Sequence, residues 1–143
     1  MKDDEFVQQF ESRTLPFESW THRAHVRLAF IYCRRHGVDD AIERLRRGIK
    51  AYNAANDVPE GPMVGYNETQ TVAFARIIHA VMTAYEGLYP AHDGEGFCDL
   101  HPELMSKYIL RFFYSPERRG HPDAKTSFVE PDLAPLPDAN RCD

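Results

Sequence analysis

The chain has 143 residues, of which 43% are hydrophobic, 27% charged and 12% aromatic, the composition of one soluble globular domain with a real core. Its net charge is −5 with seventeen Lys and Arg spread along it, which argues against nucleic acid, because phosphate binding needs clustered positive charge. No apolar run approaches the roughly 20 residues of a membrane span, and three Cys (33, 98 and 142) without a C-x-x-C pair argue against a disulfide framework or a cysteine zinc site. The acidic opening Met1-Lys-Asp-Asp-Glu lacks a signal-peptide core, so the expectation is a cytoplasmic protein.

Phe6, Val7 and Phe10 predict a short amphipathic helix over 3–13, ended by Thr14-Leu-Pro16. Thr21 then reads as the N-cap of a helix to His36, with Trp20 just outside it and Gly37 closing it. On that helix, at 100° per residue with His22 at zero, His25 falls near ~300°, Ala29 near ~340°, Cys33 near ~20° and His36 near ~320°. Three histidines thus share a stripe with small residues. Arg23, Arg27, Arg34 and Arg35 gather on the opposite arc, the expected solvent side.

Asp40-Ala-Ile-Glu43 has a capping-box pattern, and Ile42, Leu45, Ile49 and Tyr52 follow at helical spacing. Gly37 makes this helix and the histidine helix an antiparallel hairpin, with Arg44, Arg46, Arg47 and Lys50 on the solvated face. Residues 56–65, with two Pro and two Gly, form a loop. Asn67 caps a long helix to about Tyr89. Residues 90–100 read as a second loop, and Pro102 opens another helix with Leu104, Met105, Tyr108, Ile109 and Phe112 on its apolar face.

Beyond Tyr114, Ser115-Pro-Glu-Arg and His121-Pro-Asp-Ala look like single helical turns. Phe128-Val-Glu-Pro-Asp-Leu-Ala-Pro-Leu-Pro137 can only be extended, with Phe128, Val129, Leu133 and Leu136 as anchors. The expectation is an all-α, single-domain bundle of four to five helices over residues 1–143. In it, residues 115–143 form short turns and an extended, Pro-rich C-terminal strap.

His22 and His25 stand at i and i+3, neighbours on one face, so both imidazoles can reach one metal ion. His36 lies about 21 Å farther along the axis and belongs to the helix C-terminus instead. Glu68 sits in the first turn of its helix, where it suits the helix dipole, yet shares a stripe with Val72, Ala75 and Met82. Pointing inward, it completes a two-His-one-carboxylate set (His22, His25, Glu68) suited to one divalent metal, iron or zinc. Without a metal, the same three residues are the catalytic candidates, Glu68 as proton acceptor and a histidine as acid.

Trp20, Tyr32, Tyr66, Asn67 and Thr71 are the expected substrate-binding walls, offering aromatic surface with polar handles. His79 reads as core or pocket lining, His92 and His101 as solvated, His121 as a cap, and Cys33 as an inert buried thiol. Phosphate-loop, dinucleotide, His-Glu-x-x-His and Gly-x-Ser-x-Gly motifs are absent from the sequence.

Four segments carry a resemblance: Trp20-Thr-His-Arg-Ala-His-Val-Arg-Leu-Ala29, Gly65-Tyr-Asn-Glu-Thr69, Tyr114-Ser-Pro-Glu-Arg118 and Phe128 to Pro137. Together they resemble an uncharacterised family of small bacterial helical proteins. The resemblance implies one intact domain and assigns no reaction. In that family the Tyr-x-Glu-Thr segment often carries His where this chain has Asn67, so a third histidine ligand is missing here.

The expected function is a small-molecule enzyme with an interhelical pocket, metal-dependent through the two-His-one-carboxylate site. The alternatives are a metal-free acid/base lyase, isomerase or cyclase, and a non-catalytic module binding a small ligand or a partner. The expected partner is a small molecule, with no nucleic acid and no membrane. A homodimer is compatible with such a domain, but no stripe demands one.

Overall fold

The computed structural model describes residues 1–138; residues 139–143, with Cys142 and the end of the expected tail, lie outside the described residues. The fold is all-α. The α-helices are α1 (Asp3–Glu11), α2 (His22–His36), α3 (Val38–Ala55), α4 (Glu68–Tyr85), α5 (Gly94–Leu100) and α6 (Pro116–Arg119). Single 3-10 segments cover Phe17–Ser19, Pro102–Met105 and Lys107–Phe112. Among the described residues no strand forms and no helix is long and apolar enough to cross a membrane.

The central element is α2. Thr21 Oγ1 accepts the Ala24 N–H at its start, and Gly37 closes it at φ +81°, a conformation that penalises any side chain. Val26, Leu28, Phe30, Ile31 and Cys33 are all buried, because α3, α4 and α5 pack around the helix. The chain reverses at Gly37 and enters α3 at once, so α3 begins at Val38, ahead of the expected capping box. Asp40 therefore lies inside the first turn and pairs with Arg44 at 3.2 Å instead of capping.

Arg27 departs from the expected solvated arginine arc. Its guanidinium lies 4.4 Å above the Phe6 ring and bonds Asp3 Oδ1 at 3.1 and 3.2 Å and the Met1 carbonyl at 2.6 Å. Asp3 Oδ2 in turn accepts the Gly94 N–H at 2.9 Å. One buried ion pair thus ties α1 and α2 to the start of α5. A Cβ at Gly94 would stand 2.6 Å from Arg27 Cγ, so only glycine permits this approach.

Three expectations fail between 90 and 114. The loop over 90–100 contains α5, capped by Asp93, whose side chain accepts the Gly96 N–H at 2.8 Å. Phe97 and Cys98 are buried, and Phe97 stacks on Phe30 with ring centroids 4.3 Å apart. The helix expected from Pro102 is two 3-10 segments split at Ser106, whose backbone is extended. The break resets the helical phase, so Leu104 of the first segment and Leu110 of the second are both buried while Tyr108 and Phe112 project outward. His101, expected in solvent, is buried between the Tyr85 and Phe97 rings, with Glu103 3.2 Å from Nδ1.

The segment after α6 meets the start of α4. The Glu68 and Thr69 N–H groups, which α4 cannot satisfy, donate to the carbonyls of Lys125 and Ala124 at 2.9 and 3.1 Å. Thr69 Oγ1 donates to the Ser127 carbonyl and accepts the Val129 N–H, and Tyr114 donates to the Val129 carbonyl at 2.8 Å. Val129 is buried and Phe128 and Leu136 pack on the core edge, but Leu133 is 58% exposed.

Burial makes a direct test of this arrangement. Phe97→Ala is expected to cost about 3–5 kcal/mol by urea unfolding, as for other buried aromatics. Phe112→Ala, at a 75% exposed position, is expected to stay within about 0.5 kcal/mol.

Candidate functional site

A cavity of about 370 Å³ opens between α2, α3 and the start of α4. That size lies within the roughly 300–1,000 Å³ of small-molecule sites. Leu45, Ile49, Phe74 and Ile78 give it apolar walls, and Phe17, Trp20 and Tyr66 add aromatic surface. The polar lining is His22, His25, Asn53, Asn67, Gln70 and Thr71, and Lys107 is its single charged side chain among the described residues.

Local geometry determines what each histidine offers. The Thr21 carbonyl can only accept, so His25 Nδ1, 2.7 Å from it, carries the proton. Its Nε2 is left as a free acceptor, and the ring stacks against Trp20 with centroids 3.8 Å apart. The atoms packed around His25 displace water, and the neighbouring His22 adds like charge, so its pKa falls to about 4 despite the Thr21 bond. His22 is oriented the other way round. Its Nε2–H donates to the Leu104 carbonyl at 2.9 Å and its ring meets the edge of Phe74, which leaves Nδ1 unprotonated when the ring is neutral.

Glu68 is buried but engaged elsewhere. Arg46 on α3 forks onto it, Nε at 2.9 and 3.2 Å and Nη2 at 2.6 Å, and the Tyr66 hydroxyl donates to Oε1 at 2.6 Å. Arg46, held also by Glu43, keeps the Glu68 carboxyl below the usual range, against the opposing effect of burial. Glu68 does not line the cavity. Among the described residues no group of three or more His, Cys, Asp or Glu is arranged to hold a metal ion, so His22, His25 and Glu68 are not brought together as a ligand set. Two histidines with free ring nitrogens remain, each fixed by a backbone carbonyl, the orientation that metal-bound imidazoles also use.

The other expected residues divide as follows. Trp20, Tyr66, Asn67 and Thr71 line the cavity with the two histidines. Tyr32 does not. It faces α1, where its hydroxyl donates to Glu11 at 2.7 Å. His36 lies 3.9 Å from Asp40 rather than over the carbonyls of the helix end. His79 is half-buried on α4 outside the cavity. Cys33 is sealed in the core, its thiol pushed up to about 12 by burial.

Asn53, Gln70, Phe74, Phe17 and Lys107 also line the cavity, beyond the expected residues. For Asn53 a signal existed: Leu45, Ile49 and Asn53 recur every four residues, so the carboxamide continues an apolar stripe. Lys107 had none, since it arrives from a distant 3-10 segment. No protein-family model matches the chain, and no curated protein or solved structure is significantly similar to it.

His25 makes stability depend on pH. Its folded pKa of about 4 lies below the unfolded value near 6.5, so the unfolded state binds more protons between them. Stability present above about pH 6.5 is lost as pH falls towards 4, by on the order of 3 kcal/mol. His25→Phe, whose Thr21 carbonyl keeps its helical bond from residue 25, is expected to flatten that slope in urea titrations. The Glu68 pair acts in a lower window, because a depressed carboxyl stabilises above its unfolded pKa and fails as it protonates. Arg46→Met is expected to cost roughly 2 kcal/mol at neutral pH, discounted for the partial exposure of Arg46, and less below about pH 4.

Proposed function

We propose that this cavity is the active site of a small-molecule enzyme that works by acid/base chemistry without a metal, with His25 as the proton acceptor. The observation that carries this reading is the unpartnered Nε2 of His25, on a ring that lines a largely apolar cavity while Nδ1–H is anchored on the Thr21 carbonyl. A substrate proton within reach passes to Nε2, and the resulting imidazolium keeps its Nδ1–H bond to Thr21. Asn67 accepts the Gln70 N–H through Oδ1, so its NH₂ group remains to donate to charge developing on the substrate. Glu68 has no place in the proton path, since it is committed to Arg46 and Tyr66. Its role is to hold α3 against the start of α4 and so to keep the cavity open between them.

A second reading, a non-catalytic ligand-binding module, draws support from the low pKa of His25. An imidazole near 4 is a good neutral acceptor and a weak base at pH 7. Deuterium exchange separates the two. An aryl 1,3-diketone carries an acidic C–H on a scaffold that suits an apolar, aromatic cavity. In D₂O with EDTA the wild type is expected to accelerate exchange of that proton, and His25→Phe to lose roughly 10²-fold or more of the acceleration. The rate is expected to stay level from pH 7 down to about 5 and to fall as Nε2 protonates near 4. Binding with no exchange favours the module, and acceleration abolished by EDTA contradicts the metal-free reading.

A further inference from the structure

Asn53 is a mostly buried polar side chain of the cavity to which the proton-acceptor role gives no part. It is only 9% exposed, sits on α3 and lines the cavity. Its backbone is fully used, for the carbonyl accepts the Asn56 and Val58 N–H groups at 3.2 and 3.0 Å. Its neighbour Tyr52 is locked by a 2.7 Å bond to the Leu15 carbonyl, so this part of α3 has a fixed rotation. The Asn53 carboxamide has no hydrogen-bond partner among the described residues, and the residue lines the cavity. The residue is mostly buried on an apolar stripe, yet its carboxamide stays reachable by solvent and its donor and acceptor are unused by the protein, so both are available to a ligand.

A carboxamide presents a donor and an acceptor side by side in one plane. Its complement is an acceptor beside a donor in the same plane, the pairing that Asn makes with an adenine edge. The cavity around it is lined by the flat rings of Trp20, Tyr66 and Phe74, and among the described residues no carboxylate lines it to pair with a cation. We infer that the cavity takes a planar ring carrying a cyclic amide, C=O next to N–H, and that Asn53 reads this edge through two hydrogen bonds. The inference rests on the cavity being the active site proposed above, and it names the class of substrate. It makes Asn53 a specificity-determining residue. The volume of about 370 Å³ admits one or two fused rings of this type.

The probes are 2-quinolone, which has the amide edge, and N-methyl-2-quinolone, which keeps the ring and carbonyl but lacks the donor. Calorimetric titration of the wild type is expected to show 2-quinolone binding at least tenfold more tightly. Asn53→Leu is expected to erase that preference while retaining the affinity for N-methyl-2-quinolone. Equal affinity of the two probes for the wild type overturns the inference, a comparison that needs no variant to fold. A preference that survives in Asn53→Leu also overturns it. If the probes bind equally and His25→Phe weakens both, the active-site assignment stands and only the ligand class falls. If neither probe binds, the ligand class falls, and the active-site assignment falls with it only where diketone exchange is also not accelerated.

Discussion

The fork of Arg46 onto Glu68 is the contact on which the site depends. It joins α3 to the first turn of α4 across the end of the bundle, in a partly buried setting where Tyr66 supplies a third donor. The same residue's N–H reaches the Lys125 carbonyl, so the segment after α6 is registered against α4 at the same point. A buried carboxylate is costly unless its lone pairs are filled, and here the Arg46 guanidinium and the Tyr66 phenol fill them while the Lys50 charge adds a favourable field. With this anchor in place, α3 and α4 stand apart below it, and the space between them and α2 is the cavity. The carboxylate shapes the site without entering it.

Removing Glu68 from the cavity changes the chemistry available there. What remains is two imidazoles, three side-chain amides, a hydroxyl and aromatic rings, with Lys107 as the only Lys, Arg, Asp or Glu among the described lining residues. The Thr21 residue acts twice: its hydroxyl caps α2 and its carbonyl selects the His25 tautomer. Helix start and imidazole orientation are therefore set by one residue. In this setting His25 is held neutral by its dry surroundings, ready to accept a hydrogen bond or a proton at pH 7.

Much of this was readable in the residues, and the gaps have a common cause. Periodicity and cap chemistry place α1, α2, α3 and α4, because each has a strong 3.6-residue stripe or a Thr or Asn cap. The same rules bring Trp20, His22, His25, Tyr66, Asn67 and Thr71 to one end of the bundle, and all six line the cavity. A helical wheel gives direction but not the neighbour. Glu68 does point inward, yet its partner is Arg46, 22 positions away on a face that looks solvated. Tyr32 likewise faces the interior, but α1 rather than the cavity. Arg27 is buried because α5 covers it, and α5 itself was hidden by Gly94 and Gly96, which read as loop. One of those glycines is there because Arg27 and Asp3 leave no room for a Cβ.

The central claim is that His25 presents an unprotonated Nε2 to the cavity while Nδ1–H stays bonded to Thr21. Long-range ¹H–¹⁵N spectra of the folded protein at pH 7 report the tautomer of each ring directly. The account predicts a neutral His25 with its proton on Nδ1. A neutral ring with the proton on Nε2, or an imidazolium at that pH, would contradict it.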